Sequence, residues 1–232
     1  MSALSHEYVS FKSAISNVID LNGDIYLKGV SQSASTHVVW LHHIKANLST
    51  GVADRLIDSS ISSLKEVGGC LSLGLVRPAL FAMRTELELA LSWVFFNDHP
   101  VEWSHIEKYP EDYPLRATNI KYMKAYNSRY DSRMSLLEKA KIRPVSDPYG
   151  LLSAYVHGTS AHAAPATSDL CDIVMSKNSL DDCVKLQASV SEYISDVFAS
   201  WFADTWHDWP EEAKANVSGR LSDAQLKAFC TA

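Results

Sequence analysis

The chain has 232 residues, 47% hydrophobic and 21% charged, with a net charge of −6. That length suits one large folded domain or two small ones, and the composition excludes a disordered chain, which would bury less apolar surface and carry more charge. Only nine glycines are present and none cluster, which excludes a Walker loop or a dinucleotide fingerprint, and there is no G-x-S-x-G nucleophile turn.

Apolar residues recur at helical spacing almost throughout. Leu4, Tyr8, Phe11, Ile15 and Val18 mark a first helix with Gly23 as its stop. A short serine-rich patch spans Ser31 to Thr36. Trp40, Leu41, Ile44 and Leu48 mark a second helix. Ala53, Ile57, Ile61 and Leu64 mark a third, closed by Gly68 and Gly69. Leu71 to Phe96 is apolar on most sides and reads as a central buried helix that Pro78 kinks or begins. Its charges, Arg77, Arg84, Glu86 and Glu88, exclude a membrane span.

Pro100, Pro110 and Pro114 make a connection of the next stretch. Leu115 to Ile142 reads as one long polar helix. Asp147 and Pro148 open a short helix that Gly158 closes. Ser179 and Asp182 form a capping-box pattern ahead of a helix striped with Val190, Ile194, Val197, Phe198, Trp201 and Thr205. Pro210 with Glu211 and Glu212 starts another helix, which Gly219 ends, and Ser222 with Gln225 starts a last one. The expectation is an all-α bundle of roughly seven to nine helices. It forms a single domain over 1–232, with a core bundle at 68–206 and helices from 3–66 and 210–230 packed on it.

The N-terminus lacks a basic region followed by an apolar run, so no signal peptide is read. Cys70, Cys171, Cys183 and Cys230 are scattered, as expected of reduced thiols in a cytoplasmic protein. Charge is unevenly spread. Residues 113–143 hold 8 basic and 2 acidic side chains, whereas 1–112 hold 8 and 13 and 144–232 hold 5 and 12. Within that basic island, Lys121, Lys124, Arg129 and Arg133 accompany Tyr122, Tyr126 and Tyr130, which recur every four residues. Cations can neutralise phosphates and aromatic rings can stack unpaired bases, so RNA or single-stranded DNA is a candidate ligand. The competing readings are a solvated helix whose tyrosines pack on the bundle, and a surface that meets an acidic partner.

Arg84 and Glu88 are four apart and share a helix face, so they form either a structural ion pair or part of a site. Tyr149, Ser153 and His157 also line up at a spacing of four. His157 falls in a last helical turn, where the dipole favours imidazolium. An early buried helix with R-x-x-x-E, followed by Y-x-x-L-S-x-x-V-H-G, resembles the HEPN-like helical proteins. More narrowly it is similar to bacterial domains of unknown function found near mobile elements and phage-defence genes. The resemblance covers about Leu71 to Ala163. It implies an all-α bundle, often dimeric, with Arg84, Glu88 and His157 meeting inside. It also implies a place in antiviral defence. The R-x(4–6)-H ribonuclease motif of many HEPN proteins is missing, since no arginine is followed by histidine at that spacing.

The leading expectation is a binding or assembly protein, associated with nucleic acid or with a protein partner. A hydrolase using Arg84, Glu88, Ser153 and His157 is the alternative. A third reading is a structural subunit that presents Trp201, Phe202, Trp206 and Trp209 to a partner, although these also suit a bundle core. Glu102 with His105 and Asp204 with His207 have the spacing of metal ligands but sit near prolines at helix ends. No metal or cofactor is expected.

Overall fold

A computed structural model describes residues 3–113, 116–141, 143–158 and 167–231. Pro114, Leu115, Ile142 and the 159–166 stretch with His162 lie outside it, as do the side chains of Leu4 and Arg116. Every regular element among the described residues is helical, and none is a strand. No described helix is long and apolar enough to cross a membrane.

The N-terminal helix does not stop at Gly23. α1 (Ala3–Val18) passes through a π turn at Ile19–Gly23 into α2 (Asp24–Ser33) as one rod. Gly23 keeps helical backbone angles and is buried against the end of the fourth helix, where a Cβ would lie 3.5 Å from the Ser72 carbonyl oxygen. Ala34 then bends the chain into α3 (Ser35–His43), so the serine-rich patch is helical. α4 (Arg55–Ser72) runs through Gly68 and Gly69. The break falls instead at Gly74, whose φ of +81° is open to glycine and strained for other residues.

α5 (Val76–Phe96) is the central helix. Pro78 sits in its first turn, where a missing N–H costs nothing. Ala79, Met83, Leu87, Ala90, Leu91, Trp93 and Val94 are buried, and α5 packs mainly on α4, with further contacts to the ninth and tenth helices. A short α6 (Pro100–Ile106) follows. The expected long polar helix is two helices, α7 (Arg116–Tyr126) and α8 (Tyr130–Ala140). Asn127 breaks it: its side-chain oxygen accepts from the Arg129 N–H, and its amide donates to the Trp201 carbonyl. Asparagine competes in this way with the backbone for helical hydrogen bonds.

α9 (Pro148–His157) is capped as its sequence predicts, with Asp147 accepting from the Gly150 N–H and Gly158 left-handed at φ +61°. α10 (Lys177–Phe202) is the longest helix. Its N-cap is Ser176 rather than Ser179. The reciprocal capping box lies at Asp169 and Asp172, on a preceding 3-10 turn. α11 (Glu211–Ser218) and α12 (Asp223–Thr231) finish the chain, with Ser222 and Gln225 capping α12 reciprocally. Counting α1 and α2 as one rod, eleven helices are described, against the seven to nine expected.

The C-terminal tryptophans pack inward. Trp209 is buried, with its ring 4.7 Å from Trp40 and 4.7 Å from Trp206, and Phe198, Phe202 and Phe229 fill the space around them. Two buried polar clusters tie the helices together. Glu86 of α5 faces His37 Nδ1 of α3 at 2.8 Å, and Gln187 of α10 donates to both carboxylate oxygens at 2.9 and 3.2 Å. Asp196 of α10 is held between Arg143 and Arg220, while Glu192 takes Lys141 and Arg220.

A buried carboxylate stripped of its partners, or partners stripped of it, is costly. Glu86→Ala is therefore expected to lower stability in urea unfolding by about 3–5 kcal/mol, whereas Asp24→Ala, at an exposed pair with Lys28, leaves the midpoint unchanged.

Candidate functional site

α5 carries a polar stripe at a spacing of four, Arg84, Glu88 and Ser92, on the side that meets α7 and α9. Arg84 Nε donates to Glu88 Oε1 at 3.0 Å. Tyr149, in the first turn of α9, donates its hydroxyl to the same Glu88 oxygen at 3.2 Å and accepts from Arg84 Nη2 at 3.4 Å. The guanidinium also lies over the Tyr149 ring, 5.3 Å from its centroid. Farther along the stripe, Asn119 of α7 donates to Ser92 Oγ at 2.9 Å.

Burial works against the Arg84 charge, but the Glu88 and Tyr149 contacts outweigh it and hold the guanidinium above its ordinary value. Burial raises both Tyr149 and Tyr113, and the Glu88 carboxylate adds to each. Both phenols therefore remain protonated donors near neutral pH. Along this stripe, Arg84 Nη1, Tyr113 Oη and Asn119 Oδ1 are buried without a hydrogen-bond partner among the described residues.

Arg84 and Glu88 thus meet α9 through Tyr149, and the expected meeting with His157 is not seen. Ser153 is half-buried one turn farther on, and His157 is exposed in the last turn. No hydrogen bond or ion pair among the described residues joins either one to Arg84 or Glu88. Glu88 Oε1 is already occupied by two donors, and no described nucleophile faces it. The cluster can clasp two helices and offer a guanidinium N–H to an oxygen ligand. Among the described residues, no general base for acyl or phosphoryl transfer contacts it. Tyr149 was visible as the first member of the Y-S-H spacing. That its phenol rather than the imidazole reaches α5 follows from where α9 docks.

The basic island is divided by the Asn127 break. Lys121, Tyr122, Lys124 and Tyr126 stay on α7. Tyr122 donates to Asp98 Oδ2 at 2.7 Å, and burial, with Asp98 reinforcing it, pushes its pKa up. Its ring packs on Phe95 at 5.2 Å, His99 at 4.7 Å and Trp201 at 5.6 Å. The Tyr126 ring leans on it at 4.8 Å and is 77% exposed.

The tyrosine pattern does not make one continuous face, because Tyr130 turns into the core on α8. Arg133 is likewise inside. It is fully buried, donating to the Phe229 and Ser200 carbonyls and pairing with Asp204 at 2.6 Å. A buried guanidinium must find internal acceptors, so this cation serves the fold and offers nothing to an external phosphate. Arg129 pairs with Asp204 at 3.1 Å and Lys124 with Asp131 at 3.0 Å.

His105 faces Asp112, and Asp204 is taken by the two arginines. No group of three or more potential metal ligands comes together among the described residues. Comparison with protein-family models, curated proteins and solved structures returns no match.

The Arg133 hydrogen bond depresses Asp204 below its ordinary 3.8, against some opposing burial. A carboxylate with a lowered folded pKa contributes stability that is present above its unfolded pKa. That contribution is lost as pH falls through the folded one. Asp204→Asn is expected to lower the melting temperature at neutral pH and to flatten its fall below about pH 4, as followed by circular dichroism. An unchanged acid limb would show that Asp204 is not coupled to folding.

Proposed function

We propose that the chain is a non-catalytic, HEPN-like helical binding module. Its recognition face is the aromatic shelf on α7, and its ligand is single-stranded nucleic acid, RNA or DNA. The observation that carries this is the Tyr126 ring, mostly exposed yet backed by Tyr122, which Asp98, Phe95, His99 and Trp201 hold in turn. A ring fixed from behind presents a π face to a base with little entropy left to lose, and every base has a π face to offer. Lys121 is exposed on the same helix, and Arg129 lies just past its end.

Most cations of the island already face carboxylates, so stacking rather than charge would supply the affinity. This agrees with a protein whose net charge is −6. The separation of His157 from Arg84 and Glu88 speaks against the hydrolase alternative. A role in bacterial defence or stress response rests on the R-x-x-x-E and Y-x-x-L-S-x-x-V-H-G resemblance. It is consistent with the Tyr149 contact that joins those two elements.

Fluorescence anisotropy with a short uridine-rich RNA and the matching DNA tests the proposal. Tyr126→Ala is expected to weaken binding by about 5- to 100-fold, the worth of one stacked base. Between about 50 and 200 mM salt the double-logarithmic slope is expected to be shallow, about −1.4 for two phosphate contacts. His157→Ala should bind normally. Absent binding at low salt, or a Tyr126→Ala chain that binds unchanged, would remove the nucleic-acid assignment.

A further inference from the structure

The N-terminal rod is thinly covered. No side chain from His6 to Val18 is buried. α1 packs mainly on the 3-10 turn at Leu170–Ile173, where Leu170 and Ile173 themselves stay partly exposed. A helix of 16 residues is marginal in water without a packed face. Yet the rod holds large apolar side chains out to solvent: Tyr8 is 62% exposed, Ile19 46% and Leu27 48%.

These three lie on one flank. With the helical repeat of the rod, and its wider π turn at Ile19–Gly23, Tyr8, Lys12, Ile15, Ile19 and Leu27 follow one another along a single line. From Tyr8 to Leu27 that line is about 29 Å long. Leu21 and Ile25 are exposed on the opposite flank. Lys12 interrupts the apolar line in its first half, and Asp20 and Asp24 stand beside its second half. Lys12 and Asp20 are exposed and unpaired among the described residues, and Asp24 meets Lys28 at the surface. The order therefore matches itself when reversed. Two rods laid antiparallel set Tyr8 opposite Leu27, Ile15 opposite Ile19, and Lys12 between Asp20 and Asp24 of the copy. Parallel rods would set Lys12 against Lys12 and the acids against one another, which is repulsive.

We infer that this flank is a contact between two copies of the chain, which pair their N-terminal rods antiparallel about a two-fold axis between Ile15 and Ile19. Such a contact is isologous, so the apolar line and the charges beside it each meet their own complement. The charges favour this occupant over a lipid surface. From His6 to Lys28 the rod holds Glu7, Asp20 and Asp24 against Lys12 and Lys28, whereas helices that lie on membranes carry a polar face rich in lysine and arginine. One pair of helices makes a small interface, so the two copies are in exchange with free chains.

Sedimentation velocity of the full chain at about 100 μM, well above a micromolar Kd, tests the inference. A species of twice 25.7 kDa is expected, dissociating on dilution. Ile19→Asp puts a charge beside the two-fold axis and is expected to leave a monomer with unchanged circular dichroism. Lys12→Asp is expected to weaken pairing by about tenfold, since two ion pairs become two repulsions. Adding Asp20→Lys to Lys12→Asp is expected to restore most of that loss, which a merely sticky or misfolded helix would not do. Tyr126→Ala should pair like the parent, which separates this contact from the aromatic shelf. A monomer at about 100 μM overturns the inference, and if that monomer sediments with phosphatidylcholine–phosphatidylglycerol vesicles the flank belongs to a lipid surface instead. An Ile19→Asp chain that still pairs, or a double variant no better than Lys12→Asp alone, overturns it equally.

Discussion

A carboxylate in the middle of the most buried helix has no water to turn to. Glu86 lies at the centre of α5 with no exposed surface, and its oxygens are met by His37 from α3 and Gln187 from α10. Ser60 of α4 reaches the carbonyl of the same residue. Leucines tolerate small slips against one another, since any apolar neighbour of suitable size will do. A buried anion does not, because a shift of one turn would leave it bare. The rotation of α5 about its axis is therefore tied to Glu86, and that rotation decides where Arg84 and Glu88, two residues to either side, emerge.

They emerge on the α9 side, in a partly exposed setting where Arg84, Glu88 and Tyr149 bond to one another. Such a cluster is stable because each charge has a partner. Asp196 repeats the arrangement deeper in the fold. Burial raises its pKa, and Arg220 and Arg143 pull it back toward ionisation.

The excess of positive charge in residues 113–143 is largely consumed by such pairs. Lys124, Arg129, Arg133, Lys141 and Arg143 each meet a carboxylate, most of them from outside the basic stretch. What remains at the surface is shape and aromaticity. α7 separates two chemically distinct sides, a rigid ring shelf under Tyr126 and a cleft of mixed charge behind Ile120 and Met134. The Asn127 break makes this possible, because a continuous helix to residue 142 would have carried Tyr130 and Arg133 onto the α7 surface.

The helical class, the absence of a long apolar span, the Asp147 and Ser222 caps and the Gly158 terminus could be read from the chain alone, because each depends on residues within a turn or two of one another. The same local logic failed at Gly23, Gly68 and Gly69. Gly23 and Gly68 suit close helix contacts, at Ser72 and Leu27, Gly69 faces open space, and none of the three ends a helix. It failed again at Ser179, where the neighbouring Ser176 took the cap. The pairing of Arg84 with Glu88 was legible as an i,i+4 spacing. The choice of Tyr149 over His157 as their partner was not, because it depends on how α9 docks on α5 across more than sixty residues of chain. The burial of Arg133 and the pairing of the basic island lay equally beyond the sequence. Composition counts charges along the chain, while long-range packing decides which of them meet.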